Sequence, residues 1–295
     1  MLYLQIFIAL SSVVANLLGI HCLRKQKTGS KNQSILHQNL SLIDVVKILY
    51  DFIPLGIYYS ENDFYVKNYI YFDVVEIYMM TTIYSSYILL LVDRLAGILL
   101  DIRYSWYFTT RSVKLMVISS WITGLPSGLF VVFSESPLAK VYYYISCDAI
   151  IIVSTIFTYS VIIGVIQRIN NRQFPSSQLR NKDVFGEIGS KRSLLVTFLL
   201  LTSFIVCWVI PDIIFLVFKN NVVTYRVISL LWTTGFLLDP IIYICVNKEL
   251  RRITFNMCTK LKWKLAVKLE KLHWVTVNLT SGETVEEDTV RTTEV

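Results

Sequence analysis

With 295 residues, 54% of them hydrophobic and only 17% charged, the chain has a mean hydropathy of +0.55. That is more apolar surface than a soluble core of this length uses, so an ordinary soluble domain is excluded and a bilayer is implied. The net charge of +7 invites a nucleic-acid reading, but the placement of the basic residues accounts for it in another way.

In chain order, runs long enough to cross about 30 Å of hydrocarbon as helix fall at 2–23, 35–59, 69–92, 113–133, 142–166, 193–218 and 227–246. The expected fold is an all-α membrane protein, a seven-transmembrane helix bundle, because open strand edges cannot be satisfied in lipid. With the amino terminus outside, Lys67, Lys140, Lys219 and Arg226 are the only basic residues on outer segments; Lys47 lies within the second run and the others are cytoplasmic. The positive-inside rule therefore orients the chain with its amino terminus extracellular and its carboxyl terminus in the cytoplasm. The first run has no basic stretch before it and charges after it, which favours a retained span over a cleaved signal peptide. The short stretch ahead of it leaves a ligand to enter the bundle itself. Residues 1–258 form one expected domain and 259–295 a cytoplasmic tail that is basic, then acidic and Thr-rich.

The motifs fall at particular depths of these runs. Asn16 stands in the first, Asp44 in the second, "DRL" (Asp93, Arg94, Leu95) at the cytoplasmic end of the third, and Trp121 in the fourth. Tyr159 lies low in the fifth, "FIVCWVIP" with Trp208 and Pro211 in the sixth, and "DPIIY" with Asp239, Pro240 and Tyr243 at the end of the seventh. In this order the chain resembles the rhodopsin-like G-protein-coupled receptors over residues 1 to about 258. The resemblance implies that Asp93 holds Arg94 at rest and that Arg94 then turns inward to receive a heterotrimeric G protein. Tyr159, Trp208, Pro211, Asp239, Pro240 and Tyr243 belong to the same activation switch. It also implies a polar core of Asn16, Asp44 and Asp239, able to hold an allosteric sodium ion or a protonated structural pair. Several positions depart from the family pattern. Ile83 replaces the usual serine beside the sodium site, Asp239 stands for Asn, and one extra residue separates Trp208 from Pro211.

Five helical turns outward from Arg94, Glu76 comes onto the inward face, with Met80 below it and Asp73 one turn higher; Asp148 and Asp212 lie in the outer halves of the fifth and sixth runs. This acidic set points to a cationic ligand, an amine or a basic peptide, unless Lys47 neutralises Glu76 or Asp51. Thr233 stands where opsins carry their lysine, so photoreception is not expected. Cys147 is the one cysteine near the outside, and Tyr69 stands near the family's first disulfide cysteine, so that disulfide is not expected. The missing disulfide, the short outer loop at 134–141 and the absent fifth-span proline are similar to the melanocortin branch of the group that also holds the cannabinoid and adenosine receptors. The acid that branch carries in the second span is replaced here by Pro54.

After the last run, "NKELRRITFNMC" reads as a short amphipathic eighth helix, with Cys258 a palmitoylation candidate. "KLKWKLAVKLEKLHW" at 260–274 suits anionic membrane lipid, calmodulin or simple solvation. Thr293 and the terminal Val295 have the form of a PDZ-domain ligand, and the tail threonines suit phosphorylation and arrestin. No nucleophile elbow, phosphate-binding loop or metal spacing of the three histidines occurs, so no enzyme is expected. Two rivals stay open: a receptor-like partner that no longer signals, and a membrane transporter, which would show inverted repeats or broken helices around a midplane site.

Overall fold

The computed structural model describes residues 2–26, 30–60, 62–100, 103–133, 139–171, 187–217 and 222–281. Every regular element among them is helical: α1 (Leu2–Lys25), α2 (Lys31–Ser60), α3 (Asn62–Leu100), α4 (Tyr104–Tyr107), α5 (Thr110–Phe133), α6 (Ala139–Asn171), α7 (Glu187–Phe204), a π-helical turn (Ile205–Val209), α8 (Ile210–Val217), α9 (Val222–Val246) and α10 (Lys248–Ser281). Helix starts are set by short polar side chains. Ser30 Oγ accepts the Gln33 N–H ahead of α2, and Thr109 Oγ1 accepts the Ser112 N–H ahead of α5.

Two compact units are resolved, Met1–Arg251 and Arg252–Val295. Within the first, α3 is the axial element, packing against α2, α5, α6 and α7; α9 packs against α1, α2, α7, the π turn and α8. The polarity of this unit is inverted relative to a soluble domain. Ser12, Asn16, Ser41, Asp44, Thr82, Ser86, Asp93, Asp148 and Asp239 are buried, while Phe7, Leu10, Val14 and Leu17 of α1 and Val153, Ile156 and Phe157 of α6 are exposed. Apolar side chains outside and polar groups inside are what hydrocarbon solvent selects.

Among the described residues, five stretches are long and apolar enough to cross a membrane: Tyr3–Lys25, Tyr71–Leu100, Tyr142–Gly164, Leu195–Ile214 and Arg226–Val246. Those correspond to the first, third, fifth, sixth and seventh expected runs. The second and fourth are helical, as α2 and α5, but are not among the five; α2 carries Asp44, Lys47 and Asp51 on adjacent turns.

The helix after the last apolar run is longer than the short segment expected. Asn247 Oδ1 accepts the N–H groups of Glu249 and Leu250 and starts α10, and no Gly or Pro occurs between Lys248 and Ser281 to stop it. The extra residue between Trp208 and Pro211 is also explained. A π turn takes one residue more than an α turn, so the widened turn at Ile205–Val209 absorbs it. Backbone on both sides stays helical, with Phe204 at φ −60°, ψ −48° and Ile210 at φ −63°, ψ −46°.

Candidate functional site

At the Arg94 end of α3, Asp93 is buried and accepts hydrogen bonds from Arg94 Nη2 and the Tyr104 hydroxyl. Tyr104 sits on α4, where its ring stacks on Phe108 at 5.1 Å; Asn32 Nδ2 donates to the Phe108 carbonyl at 2.6 Å and reaches the Tyr104 hydroxyl at 3.3 Å. Burial, with the bond to Asp93, pushes the Tyr104 phenol up to about 12, which keeps the hydroxyl a donor at neutral pH. Asp93 thus has two donors, one charged and one neutral. Arg94 Nε is buried without a hydrogen-bond partner among the described residues, so the guanidinium is only partly satisfied in this position. Tyr159 of α6 meets Phe198 of α7 edge-on at 5.6 Å and lies within electrostatic reach of Arg94.

Deeper in the unit, Asn16 Nδ2 donates to the Phe236 carbonyl at 2.9 Å and to the Ser12 carbonyl at 3.0 Å, tying α1 to α9. The Tyr87 hydroxyl donates to Asp239 Oδ2 at 2.5 Å, and the Tyr243 hydroxyl is hydrogen-bonded to Ser41 Oγ. Asp44 lies close enough to Asp239 to feel its charge. Three acceptor oxygens are buried without partners among the described residues: Asn16 Oδ1, Asp44 Oδ2 and Asp239 Oδ1. An all-oxygen acceptor set fits a hard monovalent cation or a proton, whereas Ile83, fully buried, brings no oxygen. Among the described residues no three His, Cys, Asp or Glu side chains are grouped to hold a metal ion.

Trp208 lies in the π turn, buried, with Phe236 edge-on at 4.9 Å and Phe204 and Trp232 stacked at 6.4 and 6.5 Å. Gly235 makes this possible, since a Cβ there would lie 2.7 Å from Trp208 Nε1. Pro211 and Pro240 are both buried within their helices.

Toward the other end, Asp148 of α6 accepts from the Tyr84 hydroxyl at 3.0 Å and Asp212 of α8 accepts from Trp232 Nε1 at 3.1 Å. The two carboxyls lie close enough to interact with one another. Glu76, Asp73 and Asp212 all act electrostatically on Tyr144 of α6, so four of the acids named from sequence gather in one region. Met80 is buried in the packing below them. Of the two acids offered to Lys47, the structure selects Asp51: the ammonium, buried on α2, pairs with Asp51 one turn on and lies 5.9 Å from the Tyr50 ring centre.

No disulfide forms among the described residues; Cys147 is partly buried and Cys258 is exposed on α10. Thr293 and Val295 lie outside the described residues. Sequence reading passed over Tyr104, Tyr87 and Ser41. Tyr104 follows Asp93 by eleven residues, and the other two meet partners on α9 far along the chain, so neither periodicity nor spacing marks them. Comparison of the chain with family models and with curated proteins gives no match.

Proposed function

We propose that the chain is a rhodopsin-like receptor of the plasma membrane, with seven spans, its amino terminus extracellular, and a heterotrimeric G protein as its cytoplasmic partner. Supporting α2 and α5 as the remaining spans are their outward apolar stripes, Leu42 and Leu49 on one and Leu115, Ile118, Ile122, Leu125 and Leu129 on the other. The observation that carries the reading is the buried Asp93 holding Arg94 at the inner end of the third span, with Tyr159 within electrostatic reach of Arg94 and α7 packed against α3. An ion pair of this kind, restrained but incompletely satisfied, suits an element with two arrangements better than a static anchor. Ligand in the outer half would favour the arrangement in which Arg94 leaves Asp93 and a cleft opens for the G protein.

The ligand class we propose is cationic, an amine or basic peptide, met by Glu76, Asp73, Asp148 and Asp212. The test is G-protein activation in cells, across G-protein families, with an amine and basic-peptide panel at matched surface expression. Glu76→Gln is expected to raise the half-maximal concentration of a responding cation by at least about tenfold, one lost charge-assisted bond being worth roughly 1.5–3 kcal/mol. An unchanged response in Glu76→Gln would remove that residue from the site, and silence of wild type to every ligand would favour the non-signalling partner reading.

Sodium is the proposed occupant of the Asn16, Asp44 and Asp239 core. Asp44→Asn removes one of its two carboxylates and is expected to abolish any sodium dependence of agonist affinity, read by titrating sodium against a bulky organic cation at constant ionic strength. Retained sodium dependence would place the ion elsewhere. Palmitoylation of Cys258, arrestin recruitment and PDZ-domain binding by Thr293 and Val295 complete the proposed cytoplasmic interactions.

A further inference from the structure

His37, on the second turn of α2, is buried at 3% exposure and belongs to no motif of the switch. Its ring lies tilted against Tyr243 of α9 with 5.4 Å between centroids, and its Nε2 stands 3.3 Å from the side-chain amide of Gln33, one turn earlier. Tyr243 does not serve the other ring nitrogen, because its hydroxyl is bonded to Ser41, four residues on from His37 along the same face of α2. Nδ1 is therefore buried with no hydrogen-bond partner among the described residues. On α3, which packs against α2, Arg94 Nε is in the same condition, a buried N–H without an acceptor, and the guanidinium lies within electrostatic reach of the His37 ring. Leaving a buried polar atom unpaired is costly. Phe or Leu at position 37 would fill the space without that cost, so a nitrogen kept there calls for a use.

We propose that His37 is the positioning residue that receives Arg94 when it leaves Asp93: the guanidinium turns toward α2 and donates a hydrogen bond to Nδ1, so that the released arginine is held in one place. The tautomer this needs is open to the ring. The Gln33 amide can present its oxygen to Nε2; Nε2–H then donates to it, and Nδ1 keeps the lone pair that an arginine N–H requires. Gln33 and Tyr243 between them fix the ring's tautomer and its position, which is what makes an acceptor effective on arrival of its donor. Because the same ring packs on Tyr243, the new bond joins α3 to α9 through α2 in the second arrangement and not in the first. The inference rests on the reading of Arg94 as a group with two arrangements; it does not depend on which ligand or which G protein the chain meets.

The experiment needs no ligand. Full-length Asp93→Asn protein carrying isotope-labelled histidine is compared in nanodiscs with wild type and with Asp93→Asn/Arg94→Ala by nitrogen NMR, the His37 signals being assigned by their loss in His37→Phe. The Nδ1 resonance is expected to move upfield in Asp93→Asn, as an unprotonated ring nitrogen does on accepting a hydrogen bond, and to return when Arg94 is also removed. In nucleotide-exchange assays at matched surface amount, His37→Phe is expected to lower the raised basal activity of Asp93→Asn by at least about tenfold, the effect of one bond to a charged donor. His37→Gln still offers an amide oxygen and is expected to keep the larger part of that activity, whereas a site that only needed filling would favour Phe over Gln. An Nδ1 signal that is the same with and without Arg94 overturns the inference, Arg94 then resting on another acceptor such as the Tyr159 hydroxyl. So does a His37→Phe/Asp93→Asn protein at or above the activity of Asp93→Asn, which would make His37 a brake on the resting arrangement. A nitrogen shift that depends on Arg94, in a protein that drives no exchange in any variant, upholds the placement of Arg94 and counts against the signalling reading alone.

Discussion

Arg94→Ala is expected to abolish agonist-driven nucleotide exchange on the G protein, while Asp93→Asn raises the activity seen without agonist. The two changes break the same ion pair, yet their effects have opposite sign because the partners have different tasks. Asp93 is buried at 3% exposure and serves only to hold, accepting from Arg94 and from Tyr104. Arg94 is the group that the proposed active arrangement needs at the cytoplasmic cleft. A hydrogen bond to a charged group is worth about 1.5–3 kcal/mol, so weakening the Asp93 carboxylate shifts the resting equilibrium by roughly 10- to 150-fold toward the open arrangement. Tyr104→Phe removes the second donor to Asp93 and should give a smaller rise of the same sign, because a neutral phenol contributes less than a guanidinium. The readout is basal and stimulated nucleotide exchange in membranes, normalised to the amount of receptor at the surface. A pair that merely anchored a helix end would lose surface expression in both variants and show no rise in either. Equal basal activity of Asp93→Asn and wild type would remove the switch from the proposed mechanism.

What sequence could show was the class and the depth of the motifs. Apolar runs separated by basic segments led to a helical membrane protein, and Asn16, Asp44, Asp93, Trp208 and Asp239 are all buried in the unit that those runs form. These signals survive because burial in a bilayer is written in composition and periodicity, which are local properties. Two departures show where that reasoning runs out. The added residue between Trp208 and Pro211 read as a disruption, since a spacing carries no information on how a helix will absorb it; the π turn preserves the burial of Cys207, Trp208 and Val209 at the expense of local hydrogen-bond geometry. Lys47 had two acids within reach on paper. The choice of Asp51 follows from its place one turn along the same helix, where pairing costs less ordering than a contact across to α3. Tyr104 was invisible for a third reason: its role depends on α4 bringing the hydroxyl to Asp93, and no pattern in a four-residue helix announces that.

A close helix contact that the sequence carries as "GLPSG" is expected to control stability more than any charged site. Gly124 and Gly128, four residues apart on one face of α5, lie against α3. A Cβ on Gly128 would stand 2.8 Å from the carbonyl oxygen of Val74, and one on Gly124 would stand 2.8 Å from Thr82 Oγ1 and 3.0 Å from the Tyr78 carbonyl. Backbone atoms cannot rotate out of the way, so a side chain here forces the two helices apart. In a bilayer, association rests on close van der Waals packing rather than on burial from water, and small residues are what let backbones approach. Gly128→Ala should therefore cost about 1–3 kcal/mol, the usual range for overpacking, and Gly128→Leu should prevent accumulation of folded protein. Gly97→Ala supplies the control, because nothing lies within 4 Å of the added methyl, and exchanging a helical glycine for alanine there should stabilise by about 0.5–1 kcal/mol. The measurement is the midpoint of thermal unfolding in detergent for the three variants beside wild type. A midpoint for Gly128→Ala at or above that of wild type would mean that α3 and α5 separate without cost. The position of α3 would then be set by its other neighbours, α2, α6 and α7. Because α3 carries Glu76 at one end and Asp93 and Arg94 at the other, a shift of this helix moves the proposed ligand and G-protein sites together, and the Gly128→Ala protein that does fold is expected to lose agonist affinity as well as heat resistance.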